Sequence, residues 1–317
     1  MSELYALHKL TITTGNLPLY VALANQLTGL SRHKARLAIS AGLVTVDGAV
    51  QLAPQAPSTA GASLVCDLRQ GIPNRGQQRA ANKLGIVSRA GRPFTILHQD
   101  GDVVVVDKAA GVLSAPTDSD SRGHVPELLR RFWRGRGDKV PHLGVVHRID
   151  QATSGCLAIA LNASAQRILH NQFATHVASR TYRCLVAGNP RHDVDTLINR
   201  LGHGPDGRRC VMEEGRPGKE AITHFTVLAR FKRAAELECK LETGRTHQVR
   251  IQLANIACPI IGDQVYQRRE RNRIGATRMM LHAHTIAFDH PRTGQRITVE
   301  APIPPAFTQM RKALARE

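Results

Sequence analysis

From residue 94 onward, β-forming runs follow one another with little helical sequence between them. The runs cover 94–98, 103–107, 156–161, 180–187, 221–229, 235–241, 247–253, 278–288 and 296–301, whereas only 125–132 and 164–173 have helical spacing. Parallel neighbours need a crossover of a dozen or more residues, usually a helix, so strands that succeed one another directly pair antiparallel. This stretch therefore predicts an α+β domain: a long mixed, largely antiparallel sheet flanked by helices and loops, not a doubly wound parallel one.

The N-terminal stretch reads as a separate small module over residues 1–69. Apolar residues recur at helical spacing over 17–27, and Ser31 is placed to cap a second helix over 32–40 that Gly42 ends. On that helix Arg32 and Arg36 share one face, while Ala35, Ala38 and Ile39 share another. Val44–Val46 reads as a short strand entering a turn, and 64–66 as a return strand. The pattern S-R-x-x-A-R-x-x-I-x-x-G-x-V-x-V-x-G over residues 31–48 resembles the RNA-binding module first named from ribosomal protein S-four. The resemblance implies a small α/β module with Arg32, Lys34 and Arg36 on RNA. Residues 70–93 are polar, basic and glycine-containing, and read as a linker.

Charge narrows the partner. Lys and Arg number 43 against 25 acids, a net charge of +18. Such an excess fits a polyanion, because phosphate neutralisation supplies most nucleic-acid affinity. No basic amphipathic helix and no apolar run of spanning length points to a membrane. The six cysteines are scattered without a C-x-x-C pair, which excludes a zinc ribbon and reads as reduced thiols in a cytoplasmic protein. His282 and His284 alternate on a strand, a spacing more often structural than metal-binding.

Two segments carry the chemistry. His147-Arg148-Ile149-Asp150-Gln151-Ala152-Thr153-Ser154-Gly155 sets one carboxylate between a basic pair and a Thr-Ser-Gly turn. Thr243-Gly244-Arg245-Thr246-His247-Gln248-Val249-Arg250-Ile251 is basic, with Glu242 as the acid at its edge. A metal cage would need more acids or thiolates. A buried carboxylate needs a cation beside it, and a distal arginine can be that cation. As a strand, the second segment would place Arg250 with Gln248 and Gln252, opposite Arg245, His247, Val249 and Ile251.

Residues 94–301 resemble an RluA-type pseudouridine synthase. The resemblance rests on Lys108-Ala109-Ala110-Gly111-Val112, on HRIDQATSG, on Arg180-Thr181-Tyr182-Arg183-Cys184-Leu185-Val186-Ala187-Gly188 and on TGRTHQVRI. Gly218-Lys219-Glu220-Ala221-Ile222-Thr223, Gly262-Asp263-x-x-Tyr266 and Leu281-His282-Ala283 support it. It implies a catalytic domain over 94–317 that detaches uracil from its ribose, turns it and rejoins it through ring carbon five, with no metal or cofactor. Asp150 matches the essential aspartate, which attacks the anomeric carbon or takes a proton from the sugar. Tyr182 matches the tyrosine that stacks on the base and can help remove the proton from ring carbon five, and Arg250 matches the arginine that pairs with the aspartate. Arg148 matches the arginine that fills the space left by the flipped nucleotide. His147, Thr153, Arg245, Lys108 and Ile251 fall in the same blocks and are expected to frame the substrate.

The chain departs from the family pattern at Ile149 for Leu, Gln151 for Lys, and Ala109 for Pro. The last of these loosens a loop constraint. The basic run 130–139 holds Arg131 and the single Trp133, read as an RNA clamp with a core-anchored tryptophan as the alternative. Arg268, Arg269, Arg271 and Arg273 form a second basic loop. The expected substrate is structured RNA, ribosomal RNA ahead of transfer RNA, handled by a monomer. The competing readings are an RNA-binding assembly factor without turnover, and a hydrolase, which would want two carboxylates flanking the scissile bond.

Overall fold

The computed structural model describes residues 6–40, 43–47, 49–51, 54–68, 93–116, 123–135, 137–267 and 275–317. Gly42, nearly all of the expected linker and the second basic loop lie outside them. The chain divides into two compact units, Met1–Thr95 and Ile96–Glu317.

The first unit contains β1 (Leu7–Thr11), α1 (Leu19–Gln26), α2 (Arg32–Ser40), β2 (Val44–Val46), β3 (Ala49–Gln51) and β4 (Ser63–Asp67). Its antiparallel sheet runs β1-β4-β2-β3. Ser31 caps α2: its hydroxyl oxygen accepts the Lys34 N–H at 3.2 Å and its carbonyl accepts that of Ala35 at 2.8 Å. Ala35, Ala38 and Ile39 are sealed into a core with Leu23 and Leu64. Arg32, Lys34 and Arg36 are exposed on the other side of the helix, and the Arg36 guanidinium lies 4.0 Å over the Tyr20 ring. Strand β1 went unforeseen because its residues alternate between exposed and half-buried and carry little apolar signal.

The second unit, apart from the first two residues of its opening strand, contains β5 (Phe94–Gln99), β6 (Val103–Lys108), α3 (Val125–Gly135), β7 (Gly144–Val145), β8 (Ser154–Ala160), α4 (Ala163–Ala174), β9 (Ser179–Ala187), β10 (Val194–His203), β11 (Arg209–Val211), β12 (Lys219–Arg230), β13 (Ala234–Leu241), α5 (Gln248–Asn255), β14 (Leu281–Asp289), β15 (Arg296–Glu300) and α6 (Pro305–Leu314). One mixed eleven-stranded sheet runs β11-β10-β12-β13-β9-β14-β8-β6-β5, with β15 on β14 and β7 on β8. This is the α+β fold the strand succession predicts. The sheet is mixed because β14 lies parallel to β8 and antiparallel to β9. Gly155 permits the parallel contact: its φ is +115°, and a Cβ there would sit 2.2 Å from the Ala283 carbonyl oxygen. One apolar cluster joins β9 and β13 to α5 and α6 through Leu185, Leu237, Leu253 and Phe307. Another joins β6, β8 and β14 to α4 through Val105, Ala158, Leu169 and Phe288.

Residues 247–253 are not a strand. His247 immediately precedes α5 and the rest form most of it, with Gln248 through Leu253 all buried. A helix covered on every side has no polar stripe, so its alternating sequence mimics period two and tertiary packing overrides the local signal. Its glutamines are satisfied internally. Gln248 Nε2 donates to the Ile222 carbonyl and to Thr223 Oγ1, and Gln252 Nε2 donates to the carbonyls of Leu197 and Ala221. Gln248 Oε1 accepts from Thr243 Oγ1 and from the Arg245 N–H, which closes the helix start. Helical spacing turns Arg250 away from these two glutamines rather than beside them.

Trp133 is a core residue, not an RNA clamp. Val125, Leu129 and Trp133 repeat at four-residue spacing on the buried face of α3, and the tryptophan is 4% exposed. Arg131, on the same helix, is exposed and paired with Glu127. Trp133→Ala is therefore expected to cost about 3–5 kcal/mol of stability. Urea denaturation checks this, with RNA affinity of the folded variant expected unchanged.

None of the six cysteines forms a disulfide. No helix among the described residues is long and apolar enough to cross a membrane.

Candidate active site

Asp150 sits in the loop between β7 and β8, and its neighbours on both sides are pinned by the chain. Ser114 Oγ donates to the Ile149 carbonyl at 2.7 Å and accepts the Ile149 N–H at 3.1 Å. On the other side, the Gln151 carbonyl accepts the Gly111 N–H at 2.7 Å, and Gln151 Nε2 donates to the Gly111 carbonyl at 3.1 Å. Lys108 completes this lock. Its fully buried ammonium donates to the carbonyls of Ala109, Val112 and Gln151 at 3.0, 2.7 and 3.2 Å. Burial pushes Lys108 down to about 7, with Arg278 adding to the fall and Asp150 and Asp107 opposing it. Lys108 is thus a tie behind Asp150 rather than a substrate ligand. One of its three ties is to Ala109, the residue standing where the family pattern has proline.

The Asp150 side chain is 23% exposed and meets Arg250, whose Nη1 donates to Asp150 Oδ2 at 3.0 Å. Arg250 is in turn gripped from behind by Asp263. Nε donates to Asp263 Oδ2 at 2.7 Å and Nη2 to Oδ1 at 3.0 Å, a two-pronged contact that fixes the guanidinium plane. The Asp263 side chain is 0% exposed. Burial alone would push its carboxyl up. The Arg250 hydrogen bonds and charge, with the N–H groups of Val265 and Tyr266, outweigh burial and hold it below the ordinary carboxylate range. For Arg250, burial pulls its pKa down, but Asp263 and Asp150 together raise it above the usual arginine value.

Around this carboxylate–arginine–carboxylate chain stand two rings. The Tyr266 ring centroid lies 5.1 Å from the Arg250 guanidinium. Its hydroxyl is 2.9 Å from His247 Nδ1, and His247 Nε2 reaches within 4.0 Å of Asp150 Oδ2. Tyr182, on β9, is buried in the cluster that holds Ile149. Burial pushes its phenol up to about 12; Arg180 opposes that rise and Asp150 adds to it. Arg180 shares the Tyr182 face of β9, two residues away. Its Nε and Nη2 are buried without a hydrogen-bond partner, and Gly244 leaves the room its guanidinium fills.

Three expected substrate ligands, His147, Thr153 and Ile251, are buried in the protein's own packing. His147 is buried, its Nε2 accepts the Ala158 N–H at 2.9 Å, and its ring stacks on Phe173 at 4.4 Å. Burial, with Arg180 nearby, pushes it down to about 3, so it is a neutral core histidine. Ile251 packs with Leu201 and Ala221 in a small apolar cluster. Thr153 is also buried; its N–H closes the turn onto the Asp150 carbonyl at 3.1 Å, and its hydroxyl has no partner. Arg245 is half-buried, with Nε donating to the Glu220 carbonyl at 2.8 Å. Arg148 is exposed and forms no hydrogen bond or ion pair among the described residues.

The residues sequence reasoning left out of the site are Asp263, Tyr266 and His247. All three stood in quoted blocks, and the G-D-x-x-Y spacing was the available signal: an acid three residues before a tyrosine, downstream of an arginine that already needs a counter-charge. Asp263 is a second carboxylate near Asp150, but it is sealed behind Arg250. It cannot flank a scissile bond as a hydrolase pair requires. His282 and His284 do not form a metal pair either. His282 Nδ1 accepts from Ser154 Oγ and its Nε2 donates to the Ala301 carbonyl, which also receives His284 Nδ1. Asp100, Asp102 and His290 approach within 4.8 Å of one another. The backbone N–H groups of Arg292 and Thr293 donate to His290 Nδ1, which leaves the proton on the Nε2 that faces the acids.

Residues 102–255 match the family described as RNA pseudouridylate synthase. The "Uncharacterized RNA pseudouridine synthase YlyB" of Bacillus subtilis is 37% identical over 217 residues, 68% of this chain and 71% of that protein. The "Ribosomal large subunit pseudouridine synthase D" of Pseudomonas aeruginosa is 32% identical over 307 residues, 90% of this chain and 88% of that protein. Among solved structures, "Human RNA Pseudouridylate Synthase Domain Containing 4" shares the fold, with a TM-score of 0.59 at 20% identity over 75% of this chain and 97% of that one. With such relatives spanning most of its length, the chain belongs to the RNA pseudouridine synthase family.

Proposed function

We propose that this chain converts uridine to pseudouridine in ribosomal RNA, with Asp150 as the reacting carboxylate. The observation that supports this most is the Asp150–Arg250–Asp263 chain, which leaves one partly exposed carboxylate edge held against a fixed cation. In the reaction the bond from uracil N1 to the sugar's anomeric carbon breaks and a bond from ring carbon five to that carbon forms. The proton on carbon five is released, and N1 gains one. A stacked uridine hides its glycosidic bond, so the nucleotide swings out to reach Asp150. Arg250 holds the carboxylate aimed, its Nη1 donating to Asp150 Oδ2.

Tyr182 serves as the stacking platform. Burial pushes its phenol up to about 12, so the ring it offers near pH 7 is neutral. Arg148, exposed and uncommitted, fills the gap in the RNA helix, and Arg245 meets phosphate. Residues 1–69 act as an S-four-like RNA-binding module through Arg32, Lys34 and Arg36, residues 70–93 as a linker, and 94–317 as the catalytic domain. The ribosomal target is favoured by the printed name of the Pseudomonas aeruginosa relative, which matches 90% of this chain, and by the net charge of +18.

The test is a map of pseudouridines across cellular RNA in a strain lacking the gene, repeated after the gene is restored. One or more ribosomal RNA sites are expected to vanish and return. Loss confined to transfer RNA would overturn the target, and release of free uracil by the purified protein would overturn the reaction.

A further inference from the structure

We propose that His247 is a positioning residue for the isomerisation, holding the Asp150 carboxylate from the side that Arg250 leaves open. The inference rests on the reading of Asp150 as the reacting group. Three independent features of His247 converge. It occupies left-handed backbone, φ +59°, as the residue that starts α5. That conformation is uncommon outside glycine, although histidine enters it more often than most residues. It persists where the surrounding structure enforces it, commonly at functional sites. Here it aims the imidazole back across the helix start, toward the Asp150 loop.

The ring is then fixed at both ends. Its Nδ1 lies 2.9 Å from the Tyr266 hydroxyl, and the two rings meet edge to face at 5.6 Å between centroids. Its Nε2 points at Asp150 Oδ2 from 4.0 Å. With the Tyr266 O–H donating to Nδ1, the imidazole proton resides on Nε2 and faces the carboxylate. The opposite tautomer would set a lone pair against an anion. A 4.0 Å separation is longer than a hydrogen bond, and such contacts tighten when substrate displaces water. The side chain is 30% exposed, so substrate has access to it.

The groups acting on His247 come from four segments: Asp150 from the catalytic loop, Arg250 from α5, Asp263 and Tyr266 from the turn that follows it, and Arg209 from β11. Burial lowers its pKa first. Asp150 and Asp263 oppose that, and Arg250 and Arg209 add to it, leaving it below the ordinary value. Near pH 7 the ring is therefore neutral, with Tyr266 setting its tautomer. Below its pKa the imidazolium forms a full ion pair with Asp150 and makes the carboxylate a weaker nucleophile or base. Activity falls on that acid limb.

The experiment measures single-turnover release of the carbon-five proton from a substrate RNA between pH 5 and 9. It compares wild type, His247→Ala, His247→Gln and Tyr266→Phe, with RNA affinity and melting temperature recorded for each. His247→Ala is expected to slow turnover about 10- to 100-fold, the loss of a hydrogen bond to a charged group. RNA affinity should stay within about twofold. Glutamine restores a donor and should recover most of the rate. Tyr266→Phe should fall between the two, and the acid limb, set below the ordinary histidine range, should disappear in both His247 variants. An unchanged rate in His247→Ala, weaker RNA binding at an unchanged rate, or equal slowing by alanine and glutamine would each overturn the proposal. Turnover by Asp150→Asn would instead remove the site reading beneath it, so the two failures are distinguishable.

Discussion

Asp150→Asn is expected to abolish pseudouridine formation, lowering single-turnover rates by at least about 10⁴-fold, while RNA affinity and melting temperature stay near wild type. The amide keeps the shape and one oxygen for Arg250 Nη1, which donates to Asp150 Oδ2 at 3.0 Å in the native protein. It removes the negative charge on which every proposed version of the first step relies, whether attack at the anomeric carbon or removal of a sugar proton. The fold should tolerate the change because the loop is fixed by main-chain contacts that do not use the carboxylate. Ser114 holds Ile149, and Lys108 and Gly111 hold Gln151. Asp150 is also partly exposed, and Arg250 keeps Asp263 as its buried counter-charge, so no unpaired buried ion results. Gel-shift affinity beside a rate assay checks this. An asparagine variant within tenfold of wild type would remove Asp150 from the chemistry.

The sequence showed the carboxylate and its cation more readily than what supports them. Asp150 and Arg250 were legible because each stands in a compact block whose residue order is distinctive, and the structure brings the two side chains to 3.0 Å across 100 residues of chain. The antiparallel succession of strands was legible because connection length dictates pairing. The helix at Gln248–Asn255 was not, since burial on all sides erased its polar stripe and left an alternation that imitates a strand. That error concealed His247. On a strand it would point away from Arg250, whereas at the left-handed start of a helix it turns toward the same carboxylate. His147, Lys108 and Ile251 lay close to the chemistry in sequence but are used for packing and main-chain ties. Sequence blocks mark where a site is built without separating the groups that touch substrate from those that hold them. Trp133 errs the same way: a basic run drew attention to its ring, while the four-residue spacing with Val125 and Leu129 placed it in the core.

Arg250→Ala is expected to be the most destabilising single change at the site, costing about 3–5 kcal/mol near pH 7 as well as turnover. The reason lies behind Asp150. Asp263 is 0% exposed, and Arg250 supplies two of the hydrogen bonds and the positive charge that keep it ionised. Without the guanidinium its partners are the N–H groups of Val265 and Tyr266, and a buried anion remains without a counter-ion. In wild type the Asp263 carboxyl is held low, so its stabilising contribution is fully present above the unfolded value near ~3.9 and is lost as pH falls through the folded value. In the variant burial dominates and the carboxyl rises. Acidification then protonates it and relieves the penalty. The gap between wild type and Arg250→Ala in urea denaturation should therefore be widest near pH 7.5 and narrow toward pH 4.5. An Arg250→Met, Asp263→Leu double variant removes both charges together and should recover much of the stability with none of the activity. If the double variant is instead less stable than Arg250→Ala, the carboxylate–arginine contact is not what ties stability to the site.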